Sequence, residues 1–314
     1  MIVYRQLDEV PRDITTVLSV GNFDGVHRAH QNVLRHNVQR ARELGACSMV
    51  VTFDPHPVRI LRPDVSKKLL TPLPMKLRLL EQVGLDAVLV LPFTRDLSLM
   101  PPREFAQQVL LGCLHVREIH EGSNFHFGRH AEGTVQALKE MGRELGFQVE
   151  IYPQMNYHGE HVSSSRIREL IAAGKLTRAR HLLARPFSVL STAGRGRGYG
   201  HRYTVPTINL SRYDEQVPQD GVYITWTRVG PHCFDSVTNV GNRPTFGEES
   251  FAIETHLLNF YPVELTPETE VEISFLRRVR PEIKFPSIEA LREQIALDVR
   301  QARHYFQLAE HGRE

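Results

Sequence analysis

The chain has 314 residues, 41% of them hydrophobic and 24% charged, enough for about two globular domains with cores of their own. Lys and Arg total 38 against 36 for Asp and Glu, a net charge of +2, so the charge balance asks for neither nucleic acid nor an anionic membrane. No run is long and apolar enough to span a membrane, MIVYRQLDEV lacks a signal peptide's apolar stretch, and Cys47, Cys113 and Cys233 stand far apart without a CxxC, which points to the cytoplasm.

The first half alternates short apolar runs with helical periodicity. TVLSV (16–20) predicts a strand ending at Gly21, and residues 30–44 predict a helix stopped by Gly45. CSMVVTF (47–53), DAVLVLPF (86–93) and VREIHEG (116–122) predict three more strands, with helices over 75–83 and 101–113 between them. Strand–helix–strand repetition implies a parallel, Rossmann-like sheet covered by helices. Ligands on such sheets lie at the carboxyl ends of the strands, where GNFDGVH, TFDPHP and EGSNFHFG fall. A capped helix is expected over 163–175 and another around 177–184, with the domain boundary at 184/185. Beyond it FSVLSTAG, TINL, GVYITWTRV, CFDSVTNVG, AIETHLLNF and VEISFLRRV predict a small antiparallel barrel. SIEALREQIALDVRQARHYFQLAE closes the chain as an amphipathic helix capped by Ser287.

GNFDGVHRAHQ (21–31) couples a glycine turn to a helix start, where backbone N–H groups and the helix dipole face an anion. His27 and His30, three residues apart, add donors suited to a polyphosphate. The spacing is equally that of two surface histidines, and no third ligand nearby suggests zinc. GRGRGYG (194–200) is rich enough in glycine to approach phosphates, but no GK[ST] follows it, so it is not a Walker A loop.

GNFDGVHRAHQ also resembles the GNFDGVHxGHQ signature of the prokaryotic bifunctional riboflavin kinase/FMN adenylyltransferase (FAD synthetase) family. TFDPHP, LTPLPMKLRLLEQVGLDAVLVLPF, GSNFHFG, VSSSRIREL, PTINL, NVGNRPTFG, ETHLLNF and RPEIKFPSIEALREQIALDVRQAR follow in that family's order over nearly the whole chain. The resemblance implies a nucleotidyltransferase domain over 1–184 that joins AMP from ATP to FMN, yielding FAD, and a riboflavin kinase barrel over 185–314. In the first, His27, His30 and Arg166 would stabilise the ATP phosphates. Gly21, Asn22, Phe23 and Asp24 would shape the turn, with Ser163 and Ser164 as a second phosphate motif. Asn124, Phe125 and Phe127 would lie near the flavin, although the two phenylalanines suit a core equally well. In the barrel, Thr207 and Asn209 would hold Mg²⁺ with ATP, Gly196 and Gly200 would belong to a phosphate loop, and Glu254 would be the general base. Riboflavin, FMN and ATP would be the small-molecule partners of a monomer or weak oligomer that binds no nucleic acid or membrane.

The chain departs from the family pattern in places. Ala29 stands for the signature glycine, Asn124 for an acidic residue and Ala131 for a basic one. In the barrel His201 replaces an arginine, Thr204 a glycine and Ile208 an alanine, and Ser191 stands where a glycine is common. Two further expectations follow from these changes: a riboflavin kinase with a vestigial or re-targeted nucleotidyltransferase domain, or a flavin- or nucleotide-binding regulatory paralogue without turnover.

Overall fold

The computed structural model describes residues 1–194, 207–242, 251–261, 263, 266 and 268–311, and they divide into two compact units, Met1–Ser164 and Ser165–Glu314. The division falls earlier than the boundary expected at 184/185, so the two helices ahead of the barrel group with the second unit.

The first unit is a parallel sheet. Its strands are β1 (Ile2–Tyr4), β2 (Thr16–Val20), β3 (Cys47–Asp54), β4 (Ala87–Pro92), β5 (Val116–Gly122) and β6 (Gln148–Tyr152). Their order is β1-β4-β3-β2-β5-β6, with every neighbour parallel. Helix α1 (Arg28–Leu44) follows β2, α2 (Leu73–Val83) precedes β4, and α3 (Val135–Leu145) precedes β6. All five residues of β2 are buried, as a central parallel strand covered on both faces requires. Alternation along the strands then makes two cores. Val50, Val88 and Val90 pack with Leu34 and Val38 of α1 and Leu80 of α2 on one face. Met49, Val51 and Leu89 pack with Phe105, Leu110 and Leu138 on the other.

Gly45 ends α1 in the left-handed region at φ 60°, as its place in the sequence predicts. Between β4 and β5 the expected helix is wound differently: Pro102–Glu104 is α-helical and Phe105–Cys113 is a π-helix, burying Phe105, Ala106, Val109 and Leu110.

Helix α4 (Ser164–Ala172) starts on the last residue of the first unit; in the second unit the rest of it and α5 (Leu176–Leu183) lead into β7 (Phe187–Thr192), β8 (Thr207–Asn209), β9 (Gly221–Val229), β10 (His232–Asn242), β11 (Phe251–Leu257) and β12 (Glu270–Arg280). The strands form one antiparallel sheet in the order β7-β12-β9-β10-β11-β8. Past the ends of its two outermost strands Ala193 bridges Leu210, the Gly194 amide donates to the Asn209 carbonyl at 2.7 Å, and the Ser211 amide to Thr192 at 2.9 Å. Those bonds close the sheet on itself, the expected barrel.

The C-terminal helix α6 (Ile288–His311) starts from Ser287, whose Oγ accepts from the Ala290 amide at 3.2 Å. Its Ala302 and Phe306 pack on Val222, Ile224, Val237 and Leu276. A buried ion pair fixes it, with Arg280 Nε 3.1 Å from both Asp298 oxygens and Nη2 2.9 Å from Oδ2. The opposite face of β9 to β11 carries Thr225, Thr227, Ser236, Thr238 and Thr255, all fully buried, whose hydroxyls bond one another at 2.7–2.9 Å.

Candidate active sites

The strand order reverses at β2, with β3 on one side and β5 on the other, so a crevice is expected at their carboxyl ends. The ladder between β2 and β5 stops at Leu18↔Ile119. Beyond it the Val20 amide donates to the carboxylate side chain of buried Glu121, so a side chain, not a strand, joins them where they part. Burial pushes the Glu121 carboxyl well above its usual range.

The turn that follows is left-handed at three positions: Phe23 (φ 46°), Gly25 (φ 86°) and Val26 (φ 38°). Phenylalanine and valine are strained there, so the surroundings must impose the shape. Asp24, 3% exposed, imposes it. Its Oδ1 accepts from the Leu70 amide at 2.9 Å, the Thr71 amide at 3.1 Å and the Thr71 hydroxyl at 3.4 Å. Thr71 Oγ1 in turn accepts from the Gly25 amide at 3.0 Å, and Gln31 Nε2 donates to the Val26 carbonyl at 2.8 Å. Ser164 Oγ donates to the Asp24 carbonyl at 2.9 Å, which ties the serine segment to this turn across 140 residues of sequence.

The turn delivers His27 as the N-cap of α1, its Nδ1 accepting from the His30 amide at 3.4 Å. The imidazoles of His27 and His30 stack with centroids 3.6 Å apart and planes 15° apart. The first turn of α1 carries no acidic residue, so its positive dipole end is not neutralised locally. Burial, then the charges of His27 and Lys76, hold His30 well below the usual imidazole pKa. Two buried polar atoms here lack a partner, Asn22 Oδ1 and His30 Nδ1. Amides at a helix end and two imidazole rings, one with an unpartnered Nδ1, suit a phosphate chain, whereas the Asn22 oxygen can only accept and suits a donor.

Ala29 is the second residue of α1 and has no positive φ, so its backbone does not call for glycine. Gly21 donates its amide to Val51 at 2.9 Å, and a Cβ on it would meet the Phe23 ring at 3.3 Å. Ser163 is partly buried just ahead of α4. Arg166 lies in the second unit, where its guanidinium meets Glu169 at 2.9 Å. The residues expected near a flavin separate: Asn124 is exposed, Phe127 is buried in the core, and Phe125, partly buried, stacks on it at 5.5 Å.

Three residues of this site were not anticipated. Thr71 and Glu121 hold the turn, and Lys76 of α2 is 4% exposed with Nζ 3.4 Å from Thr52 Oγ1. Lys76 had a signal, since it shares the buried side of α2 with Met75 and Leu80. Glu121 had none, because VREIHEG reads simply as a strand.

In the barrel, strand register builds the second site. Asn209 lies opposite Glu254, which lies opposite Asn239, and Thr207 opposite His256. Since alternate residues share a face, Thr207, Asn209, Glu254 and Asn239 are on one side and Ile208, Thr255 and Thr238 on the other. Ile208 is 4% exposed and turned into the barrel interior, so its replacement of alanine is a packing change. Burial, then Arg303 of α6, lowers the His256 pKa. Gly196, Gly200, His201 and Thr204 lie outside the described residues. The described residues include no group of three or more His, Cys, Asp or Glu able to hold a metal ion, and no helix among them is long and apolar enough to cross a membrane.

Comparison with known proteins covers both units. The FAD synthetase family profile matches residues 10–166 and the riboflavin kinase profile residues 183–306. The bifunctional riboflavin kinase/FMN adenylyltransferase of Pseudomonas fluorescens is 34% identical, over 91% of this chain and 92% of that one. The enzymes of that name from Haemophilus influenzae and Escherichia coli K12 are 33% and 31% identical, covering 92% and 96% of this chain and 94% and 96% of theirs. The crystal structure of a macrolide-efflux protein from Streptococcus pneumoniae superposes with a TM-score of 0.85 at 24% identity, covering 96% of this chain and 98% of that one. At that identity the likeness speaks for the fold alone.

Proposed function

The chain belongs to the bifunctional riboflavin kinase/FMN adenylyltransferase family, and from that premise we propose that it carries out both steps from riboflavin to FAD. In the barrel, the ribityl 5′-hydroxyl of riboflavin attacks the γ-phosphorus of ATP. Its proton passes to Glu254, the bond from γ-phosphorus to the bridging oxygen breaks, and ADP leaves. In the first unit, a phosphate oxygen of FMN attacks the α-phosphorus of ATP and pyrophosphate leaves, giving FAD. No enzyme-bound covalent intermediate is required.

The observation that carries the reading is the junction at the end of β2. One turn holds His27 and His30 at a helix N-terminus and receives Ser164 on the Asp24 carbonyl. On the family pattern Arg166, in the same serine motif, would be a phosphate-stabilising residue. Positioning and charge stabilisation are what nucleotidyl transfer chiefly needs.

In the barrel, Thr207 and Asn209 offer hard oxygens on the face of Glu254, which fits Mg²⁺ shared with ATP phosphates and water. That ion would neutralise the phosphates during transfer. The same reading makes this a cytoplasmic enzyme of small molecules, a monomer or weak oligomer, with no nucleic-acid or membrane partner. Its three cysteines are free thiols, and burial pushes Cys47 up to about 11.

Purified protein with riboflavin, ATP and Mg²⁺ should accumulate FMN and then FAD by chromatography. One observation favours a second reading: Phe127 is buried in the core and Phe125, stacked on it, is only partly exposed, so the loop offers a flavin little aromatic surface. FMN accumulating alone would support a kinase whose first domain is idle or serves another phosphate-bearing acceptor. Neither product would leave a binding paralogue.

A further inference from the structure

Lys76 is a lysine in an apolar position. It lies on the side of α2 that packs toward the sheet, beside Met75 and Leu80, with 4% of its surface exposed. Burying an ammonium is unfavourable unless the charge is matched. Its hydrogen bond is a long one, 3.4 Å to Thr52 Oγ1, and it forms no ion pair with a described residue. Burial accordingly draws its pKa down, with Asp24 and Asp54 acting weakly in the other direction.

Its surroundings are those of the first-unit site. Thr52 Oγ1 also reaches the Asn22 carbonyl at 3.4 Å, on the turn that carries the unpartnered Asn22 Oδ1. The Lys76 charge is felt by His30, whose Nδ1 is likewise buried without a partner. Lys76, through Thr52 and the Asn22 carbonyl, and His30, edge-on to the Phe23 ring at 5.2 Å, therefore meet the same turn after β2, ahead of a helix with no acid in its first turn. Asp24 is committed to the Leu70 and Thr71 amides and, with Asp54, does not offset the burial of Lys76, so positive groups gathered on this turn suit a site completed by an anion.

We infer that Lys76 is a third phosphate-contacting cation of the adenylyl-transfer site, binding the pyrophosphate portion of ATP and the released pyrophosphate. The inference rests on the reading of the first unit as an adenylyltransferase. The polyanion supplies the charge that the fold withholds from Lys76, and the ammonium tracks negative charge moving onto the leaving group.

The test uses the full-length protein with Lys76→Met, Lys76→Gln and Lys76→Arg. FAD formation from supplied FMN is measured against ATP concentration, and pyrophosphate binding by calorimetry. Circular dichroism and the thermal midpoint of each variant report that the first unit is folded, and riboflavin phosphorylation by the barrel reports the same for the second. Expected are at least a tenfold rise in KM for ATP and a tenfold weaker pyrophosphate titration for Met and Gln, partial recovery in Arg, and unchanged FMN formation. Wild-type values for both measurements in the folded Met or Gln variant would overturn the inference. If the wild type forms no FAD, the adenylyltransferase reading fails on its own. The pyrophosphate titration then decides for Lys76, weakened binding upholding it and unchanged binding refuting it. If Met does not fold, the Gln variant carries the same comparison.

Discussion

The two candidate sites are built from opposite materials. The first unit gathers nitrogen: two stacked imidazoles, helix amides and a buried ammonium, with its nearby carboxylates tied up in shaping the turn or buried at a strand end. The barrel gathers oxygen, with Thr207, Asn209 and Glu254 in adjacent rows of one sheet face. On the proposed reading the contrast follows from the nucleophiles. The phosphate of FMN is already anionic, so the first site needs positive charge and no base. The hydroxyl of riboflavin is neutral, so the second needs a carboxylate to take its proton and oxygens to share a cation with ATP.

The sharpest way to break that contrast is Glu254→Gln. General-base catalysis is worth roughly 10²–10⁴-fold, so FMN formation should fall by about that much. FAD formation from supplied FMN should hold. A Gln variant that phosphorylates riboflavin at the wild-type rate removes Glu254 from the mechanism. Next comes His30→Ala, which strips one donor from the stacked pair. Loss of a preorganised charge-stabilising donor costs ~10²–10³ in turnover, and here it should fall on FAD formation alone. If both activities drop together, the histidines serve folding and not the phosphates.

The sequence revealed the first site more fully than the second. Runs such as TVLSV and CSMVVTF read as strands of a parallel sheet, which put GNFDGVH at a strand's carboxyl end, and the strand order then makes that end the switch point. What it could not reveal was long-range bonding. Asp24 works through amides at Leu70 and Thr71, and Ser164 through the Asp24 carbonyl, with no spacing in the chain to announce either. The barrel strands were legible from their turns, but which residues share a row depends on register, and register follows from pairing across the sheet. Phe125 and Phe127 suited either a core or a flavin contact from sequence; packing buries Phe127 and leaves Phe125 partly exposed on it.

A gentler test uses pH. His30 is held well below the ordinary histidine value of 6.5 by burial and neighbouring charges, and His120 is lowered by burial despite its bond to Glu118. The unfolded chain therefore binds protons at these positions before the folded chain does. By linkage, the two histidines make stability rise with pH up to about the unfolded histidine value, while buried Glu121, held well above its usual range, acts in the opposite direction. Denaturation midpoints of the wild type and of His30→Ala across that range should differ by the histidine's share, the wild type showing the steeper decline as pH drops. Pyrophosphate should flatten it, because an anion beside His30 raises the folded pKa toward the unfolded one. A midpoint whose pH slope ignores pyrophosphate would place the anion away from His30.

The smallest expected effect belongs to the residue that departs most visibly from the family signature. Ala29 lies inside the first turn of α1 with helical backbone, and its exposure is partial. Restoring glycine there removes a methyl from a position that needs no special φ. Glycine in a helix costs up to about 1 kcal/mol relative to alanine, and less near the N-terminus, where fewer bonds depend on the residue. Ala29→Gly should therefore lower stability slightly and leave the FAD rate within a few-fold of wild type. The comparison of sites makes the stakes plain. If the histidines, amides and ammonium perform the first reaction, one methyl on the helix cannot abolish it. A large gain in FAD formation on restoring glycine would show instead that the methyl blocks the approach of ATP to the helix end.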